Sequence, residues 1–543
     1  MIAGTVSAKA KKKDKKKLPA DAIAPVNYTS EDAVKDEIQA IKKLKEKEPL
    51  QALWRSKILM NASKLSEVKV LYAECEGLIV SRYKKDISKK NYLNALRHFE
   101  SLEAVGYKEL SSLEFQKDQL NERIKKNVPG LSLVEESLNT KVADLIKGTV
   151  TVYVDKGIKV ERGLGYNDGV LGSGFFISKN GYIITNHHVI SDCVDPKYEG
   201  FARLYIRLAD DPETRIPAKI IGYDKTVDLA LLKTEVDAPY VFNLGSSSDL
   251  EVGDKVYAIG SPLGLDRTLT SGIISSKDRD LFSTGKMFQI DAAVNSGNSG
   301  GPLIDENGNV QAVVFAGVPL YQGLNFAIPV EYLRYELPML FAGGNREHPW
   351  MAAYGKTKRL VGLGASNVGV NICYVMPGGY AAFAGLAAGD TITSINGERI
   401  TTLDELINNF LQRVPDTILS VGVTDASGNQ STKLIYIGKR PASPGYEAYR
   451  HDVIGQALIP MMGMDLVPSS TSNKKLYTIR TLLKGSVADE AGFSEGDTVQ
   501  VLKTDISPDK DYAAIQIYAK KKKNGFIDIA IGYQVALDNP YYF

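Results

Sequence analysis

The stretch Gly297-Asn298-Ser299-Gly300-Gly301-Pro302-Leu303, entered from the apolar run Gln289-Ile290-Asp291-Ala292-Ala293-Val294, constrains this chain more than any other. A serine hydroxyl is a weak nucleophile. A hydrolase that uses one must hold it on a tight turn whose backbone N–H groups face the oxygen that becomes negative during attack. Gly297, Gly300 and Gly301 permit such a turn because they lack a Cβ. On its own, the same stretch also fits an ordinary loop between strands, since Gly, Asn and Ser dominate turns. Partners elsewhere in the chain separate the two readings.

A serine nucleophile needs a base and a group to orient that base. The chain holds five histidines, two of which, His187 and His188, end the strand-like run Tyr182-Ile183-Ile184-Thr185-Asn186. Asp228 stands ahead of the apolar run Leu229 to Leu232, where taken alone it reads as a surface carboxylate before a core strand. TNHHV (185–189), DLALLK (228–233) and GNSGGPL (297–303), with GSGFFIS (172–178) before them and GSPLGL (260–265) between, resemble the HtrA-type serine proteases of the chymotrypsin fold across residues 147–345. The resemblance implies Ser299 as nucleophile, His188 as base, being the histidine directly before valine, and Asp228 as its orienting carboxylate. It implies an oxyanion hole at Gly297, Asn298 and Ser299, with the N–H groups of Gly297 and Ser299 as donors.

The same resemblance puts Ala293 at the base of the S1 pocket, with Asn325 and Phe326 on the opposite wall. Asn325 stands where the family has glycine. No carboxylate waits at Ala293 for a basic side chain, so cleavage is expected after small or medium apolar residues, which are plentiful only where a protein is unfolded. Short β-runs support the fold reading. Thr149–Val154 alternates, and Gly174–Ile177 and Tyr182–Thr185 flank the turn Lys179-Asn180-Gly181. Repeated strands without βαβ alternation suggest paired antiparallel barrels.

Two further modules follow. Gly379 to Gly397 resembles an HtrA-type PDZ domain: a short Ala-rich helix, a Gly389-Asp390 turn, a strand and an Asn396-Gly397 hairpin. The peptide-binding loop is then expected at Met351, Ala352, Ala353 and Tyr354, with Ala352 where the family has glycine. Gly485 to Val499 carries a weaker copy whose loop falls at Met462, Gly463 and Met464, a degenerate PDZ-like domain. PDZ domains take a chain terminus as an added strand. Ahead of the protease, 31–48, 49–62, 64–88, 91–105 and 108–127 have helical spacing, and Leu93, Leu96, Phe99 and Leu102 form one apolar stripe. His98 and Cys75, lacking clustered partners, read as packing residues.

The domain plan is therefore a basic tail at 1–30, an all-α domain at 31–146 for docking or assembly, a chymotrypsin-like double-barrel protease at 147–345, a PDZ domain at 346–442 and a PDZ-like domain at 450–543. A net charge of +2, from 66 basic and 64 acidic residues, gives no global field for nucleic acid. Cys75, Cys193 and Cys373 lie in different domains with neither disulfide nor metal-ligand spacing. No cofactor or metal is expected, and no apolar run is long enough to span a bilayer. Ala8 and Ala10 match the small-x-small pattern of a signal-peptidase site. If an apolar segment precedes Met1, the protein is expected in the periplasm or cell envelope; if the match is chance, in the cytoplasm. The basic run 520–523 reads as a solvated hairpin tip, with a polyanion or lipid site as the other reading.

The expectation is an ATP-independent serine endopeptidase acting on misfolded or exported proteins, with PDZ modules for C-terminal peptides. The resemblance implies a homo-oligomer, a trimer or a multiple of one. The competing readings are a non-hydrolytic holdase and a peptide-binding scaffold with a latent triad.

Overall fold

The computed structural model describes residues 17–132 except 25 and 27, and 142–195, 202–260, 268–282, 285–295, 297–317, 324–360, 366–453, 455–469, 476–521, 527–539 and 541–543. The signal-peptidase motif at Ala8 and Ala10, most of GSPLGL and the tip of the basic run 520–523 lie outside them. No helix among the described residues is long and apolar enough to cross a membrane.

Among the described residues five helices come first: α1 (Glu31–Lys47), α2 (Pro49–Ala62), α3 (Ser66–Ser88), α4 (Tyr92–Ala104) and α5 (Lys117–Asn127). Ser30 caps α1 by accepting from the Ala33 N–H, and Glu31 and Asp32 sit where the helix dipole favours acids. Val34, Ile38 and Ile41 carry its buried stripe. Residues 108–116, expected within a helix, form only a short 3₁₀ turn at Leu110–Ser112. The Tyr83 hydroxyl ties down both main-chain groups of Phe115, and a Gln116/Gln119 capping box starts α5 afresh. Cys75 and His98 are buried, as expected of packing residues.

These helices pack on the first PDZ domain. The Trp54 ring is fully buried between Tyr380, Phe383 and Tyr436, and its indole N–H donates to the Leu434 carbonyl at 2.8 Å. The Ser101 hydroxyl accepts from the Ile418 N–H at 3.1 Å, and Glu100 faces Arg413. Large aromatic rings dominate interface energetics, and here the buried indole N–H keeps its hydrogen bond.

After α6 (Val142–Lys147) come β1 (Thr149–Glu161), β2 (Leu164–Phe176), β3 (Tyr182–Thr185), α7 (His187–Val194), β4 (Arg203–Arg207), β5 (Ile216–Pro217), β6 (Lys219–Asp224) and β7 (Leu229–Lys233). They form one sheet in the order β6-β7-β3-β2-β1-β4-β5. The second half comprises β8 (Lys255–Gly260), β9 (Thr268–Phe282), β10 (Gly285–Ile290), β11 (Pro302–Ile304), β12 (Val310–Gly317) and β13 (Asn325–Pro329), and it closes as a barrel. Helix α8 (Val330–Ala342) then lies over β6, so closely that a Cβ at Gly222 would overlap the Leu340 carbonyl.

The connector to the first PDZ domain is part of the protease sheet. Its strand β14 (Gly344–Asn345) pairs in parallel with Gly222 and Tyr223 of β6. Just beyond it, His348 Nε2 lies 2.9 Å from Asp224 Oδ2, and Arg346 donates to Glu336 Oε2 at 2.8 Å. All four side chains are buried. Arg346 also donates to the carbonyls of Leu411 and Arg413, closing the end of a PDZ helix. Burial pushes the Asp224 carboxyl up, but the facing His348, the nearby Arg346 and the Thr226 N–H outweigh it and hold it below its ordinary value.

The first PDZ domain has β15 (Pro349–Trp350), β16 (Ala353–Arg359), β17 (Asn367–Val375), α9 (Tyr380–Phe383), β18 (Thr391–Ile395), β19 (Glu398–Arg399), α10 (Leu403–Leu411), β20 (Thr417–Thr424) and β21 (Gln430–Lys439). Its sheet runs β15-β21-β20-β18-β17-β16. After α11 (Pro444–Arg450) and α12 (Leu458–Met462), the last domain has β22 (Met464–Pro468), β23 (Leu476–Leu482), α13 (Val487–Glu490), β24 (Thr498–Ile506), β25 (Tyr512–Lys521) and β26 (Ile527–Ala536) in sequential order. A turn at 507–511 joins β24 directly to β25, so no counterpart of α10 exists there.

Two outcomes test these contacts. Trp54→Ala is expected to cost about 3–5 kcal/mol and to release the helices from the PDZ domain, seen as new proteolytic cleavage between residues 31 and 127; an unchanged digest contradicts it. A carboxyl whose folded pKa is depressed stabilises above its unfolded pKa and loses that contribution as pH falls through the folded value. Asp224→Asn should therefore destabilise the folded chain by about 3 kcal/mol at pH 7, with the gap to wild type closing below about pH 4 in calorimetry.

Candidate active site

The geometry around Asp228 follows from a backbone constraint. Asp228 has φ +60°, a left-handed conformation that a non-glycine residue adopts only when its surroundings over-determine it. The turn before it is fixed by Asp224, whose Oδ1 accepts from the N–H groups of Thr226 and Val227. The Asp228 carbonyl accepts from Asn186 Nδ2 at 2.9 Å and from the His187 N–H at 3.3 Å. With its backbone held this way, the buried carboxylate faces the start of α7. Its Oδ1 accepts the His188 N–H and its Oδ2 meets His188 Nδ1, each at 2.7 Å. One carboxylate thus caps a helix N-terminus and fixes an imidazole ring.

The two adjacent histidines have different surroundings. The His187 ring stacks on Tyr223 at 5.3 Å, its Nδ1 is 4.0 Å from Asp228 Oδ1, and only 12% of its side chain is exposed. Burial, helped by Lys225 and His188, holds it below the ordinary histidine pKa. His188 is 43% exposed and touches the Phe315 ring edge-on at 5.9 Å.

The Ser299 loop is gripped from both halves of the protease. From β2, the Ser173 N–H donates to the Ser299 carbonyl at 2.8 Å and the Ser173 hydroxyl to the Gly297 carbonyl at 2.6 Å. From β12, Val314 exchanges bonds with Gly300 and Gly301. Gly300 has φ +86°, and a Cβ there would overlap the Ser173 carbonyl and the Thr185 hydroxyl. The Asn298 N–H is occupied by the Asn295 carbonyl at 3.0 Å, which leaves it unavailable to an oxyanion. The Gly297 and Ser299 N–H groups have no backbone acceptor among the described residues. The Ser299 hydroxyl donates to the Phe315 carbonyl at 2.9 Å and makes no hydrogen bond to His188.

Ala293 is exposed, and its carbonyl accepts from the Thr270 hydroxyl. Asn325 and Phe326 are buried on the facing strand β13. The Asn325 amide donates to the Ala292 carbonyl at 2.8 Å, so its polar head is satisfied by main chain. In the first PDZ domain Met351, Ala352, Ala353 and Tyr354 are buried, and Ala352 has φ +68°. Met462 and Met464 are buried around Gly463, at φ +82°. Burial pushes the Cys193 thiol up to about 11, with Asp192 adding to it. Sequence reasoning missed Ser173, Asn186 and Phe315. Gly-Ser-Gly in GSGFFIS was visible, but nothing in it shows that the hydroxyl reaches the other barrel.

This constellation, on a two-part β fold followed by PDZ domains, is the arrangement of a trypsin-like peptidase domain. A family model for the trypsin-like peptidase domain matches residues 172–313, a PDZ domain matches 372–412 and a TP0546 family PDZ domain matches 445–537. A domain of unknown function matches 32–124. The probable periplasmic serine endoprotease DegP-like of Marinomonas sp. is 33% identical over 346 residues, 61% of this chain and 70% of that protein. A protein of the same description from Pseudomonas fulva is 36% identical over 288 residues, 51% of this chain and 58% of its own. The putative serine protease HhoB of Synechocystis sp. is 36% identical over 253 residues, covering 43% and 58%. The solved HtrA-type protease AlgW with decapeptide is 26% identical and covers 56% of this chain and 99% of its own, at a TM-score of 0.46. The chain belongs to the HtrA family of DegP-like serine proteases. It spans little more than half the length of the first curated relatives it matches.

Gly300→Ala is expected to cost at least about 2 kcal/mol, from its left-handed φ and the overlap with Ser173. Ser173→Ala should cost about 1–3 kcal/mol by leaving the Gly297 carbonyl without its donor. Thermal unfolding checks both, and two neutral variants would contradict this picture of the loop. With a thiol pKa near 11, Cys193 should resist iodoacetamide at pH 7 in the folded chain, which mass spectrometry of labelled peptides tests.

Proposed function

We propose that this chain is an ATP-independent serine endopeptidase in which Ser299 attacks the scissile carbonyl. His188 takes the serine proton and passes it to the leaving amine, and Asp228 fixes the imidazole tautomer and stabilises the imidazolium. The observation that carries the reading is the double contact of Asp228 with His188, on the N–H and on Nδ1, which leaves Nε2 for the cleft. The Gly297 and Ser299 N–H groups are the donors for the oxyanion, and a well-placed donor is worth about 3–4 kcal/mol. For attack, the Ser299 hydroxyl leaves the Phe315 carbonyl by rotating about its Cα–Cβ bond. That conformation describes a resting enzyme, since catalytic hydrogen bonds often tighten only when substrate binds.

The uncharged S1 lining of Ala293 and Phe326, with the Asn325 amide already satisfied, supports cleavage after small or medium apolar residues. Such residues lie exposed in misfolded or newly exported proteins, the proposed substrates. Relatives described as periplasmic support a periplasmic location, and a homo-oligomer is proposed for the assembled protein. Peptide capture is assigned to the first PDZ domain, where α10 and β16 wall a groove. The second lacks the helical wall.

Hydrolysis of fluorescent casein, without nucleotide or metal, tests the roles. Ser299→Ala and His188→Ala should each lose about a thousandfold or more in rate, while His187→Ala stays within about tenfold of wild type. Retained activity in His188→Ala would sink the assignment. An inactive wild type that still suppresses aggregation of an unfolded client would favour the holdase reading.

A further inference from the structure

The outer edge of β16, the terminal strand of its sheet, is paired by a segment nearly two hundred residues further along the chain. The Ala353 N–H donates to the Phe543 carbonyl, the Phe543 N–H to the Ala353 carbonyl and the Gly355 N–H to the Tyr541 carbonyl, each at 3.0 Å. This is antiparallel strand addition, the mode by which an exposed sheet edge takes an extended peptide. We propose that Tyr541–Phe543 is a resident ligand of the first PDZ groove, which a peptide from another protein must displace to bind.

The side chains are placed as a ligand's would be. Phe543 is 2% exposed and shares a core with Met351, Ile372, Leu406 and Ile407. Its ring fills the space left by Gly355, where a Cβ would approach it to 3.1 Å. Tyr542, alternating to the other face, is buried among Trp350, Tyr354 and Ala448, its ring 5.2 Å from that of Tyr354. The Lys356 ammonium lies over the Tyr541 ring at 4.7 Å. The segment is delivered by the last domain. Asp538 holds Arg440 bidentately at 2.6 and 3.1 Å, and the Leu537 carbonyl accepts from the Gly445 N–H.

Other features make the contact reversible. Among the described residues it has three main-chain bonds, against ten paired positions between β25 and β26. Among the described residues the Tyr542 hydroxyl is buried without a hydrogen-bond partner, so closure forfeits its hydration and opening restores it. Ala352, beside the first bond, sits in the left-handed region. The competing ligand is thereby specified: an extended peptide with a large aromatic or aliphatic side chain, and no charge, in place of Phe543. The inference requires no turnover at Ser299.

Fluorescence anisotropy with a labelled decapeptide of residues 534–543 tests it, using the full chain as Ser299→Ala so that the peptide survives. Phe543→Asp, and separately deletion of 541–543, should bind the peptide on the order of tenfold or more tighter than the parent, because a tethered competitor acts at millimolar effective concentration. Hydrogen exchange at the Ala353 and Gly355 amides should be slow in the parent, fast in both variants and slow again once peptide is added, which also shows that the variants are folded. Equal affinity in parent and variants, no binding by either variant, or fast exchange in the parent would overturn the proposal.

Discussion

The grip of Ser173 on the Ser299 loop is the contact on which the rest of the protease depends. One residue of the first sheet gives its N–H to the Ser299 carbonyl and its hydroxyl to the Gly297 carbonyl, while Thr185 of the neighbouring strand anchors the Ser173 carbonyl. The Ser299 loop belongs in sequence to the second barrel but is shaped by the first sheet. The His188–Asp228 pair rises from that same first sheet, so His188 and Ser299, the proposed base and nucleophile, are referenced to one rigid frame. Preorganisation of this kind is what lets a cleft stabilise charge without reorganising during the reaction.

Outside the cleft, the domains are joined by buried polar contacts more than by linkers. Arg346 binds Glu336 on α8 and two carbonyls beyond α10, and His348 binds Asp224. Buried ion pairs add little net stability compared with apolar packing, but they tolerate few alternative geometries. The helical domain adds the Trp54 wedge against the same PDZ domain. The first PDZ domain is therefore held by the protease, the helices and the last domain at once.

The fold and the candidate triad were legible because short motifs carried them. His187 and His188 were separable by their position before Val189, and the amphipathic helices by their stripes. Other parts were illegible for physical reasons. The break at 108–116 depends on Tyr83, distant in sequence, tying down Phe115. Trp54 reads as an ordinary apolar helix residue until its partners on β21 and α9 are known. The occupant of the PDZ groove could not be seen, because strand addition uses main-chain groups that every sequence possesses and Tyr541–Phe543 carries no motif. Asn298 differs again: its N–H is taken by a local turn, a matter of backbone angles that residue identity does not determine.

Asp224 has a consequence that reaches past stability. Its Oδ1 shapes the turn that delivers Asp228, and both its oxygens meet His348, the residue directly ahead of the strand that carries Trp350 into the PDZ domain. The protease cleft and the root of the peptide groove thus converge on a single buried carboxylate, and β14 leaves no slack between them. Such an arrangement acts as a lever with a stiff fulcrum and not as a tether: a shift of the PDZ root by a fraction of an ångström has no flexible segment in which to dissipate before it reaches the turn that aims Asp228.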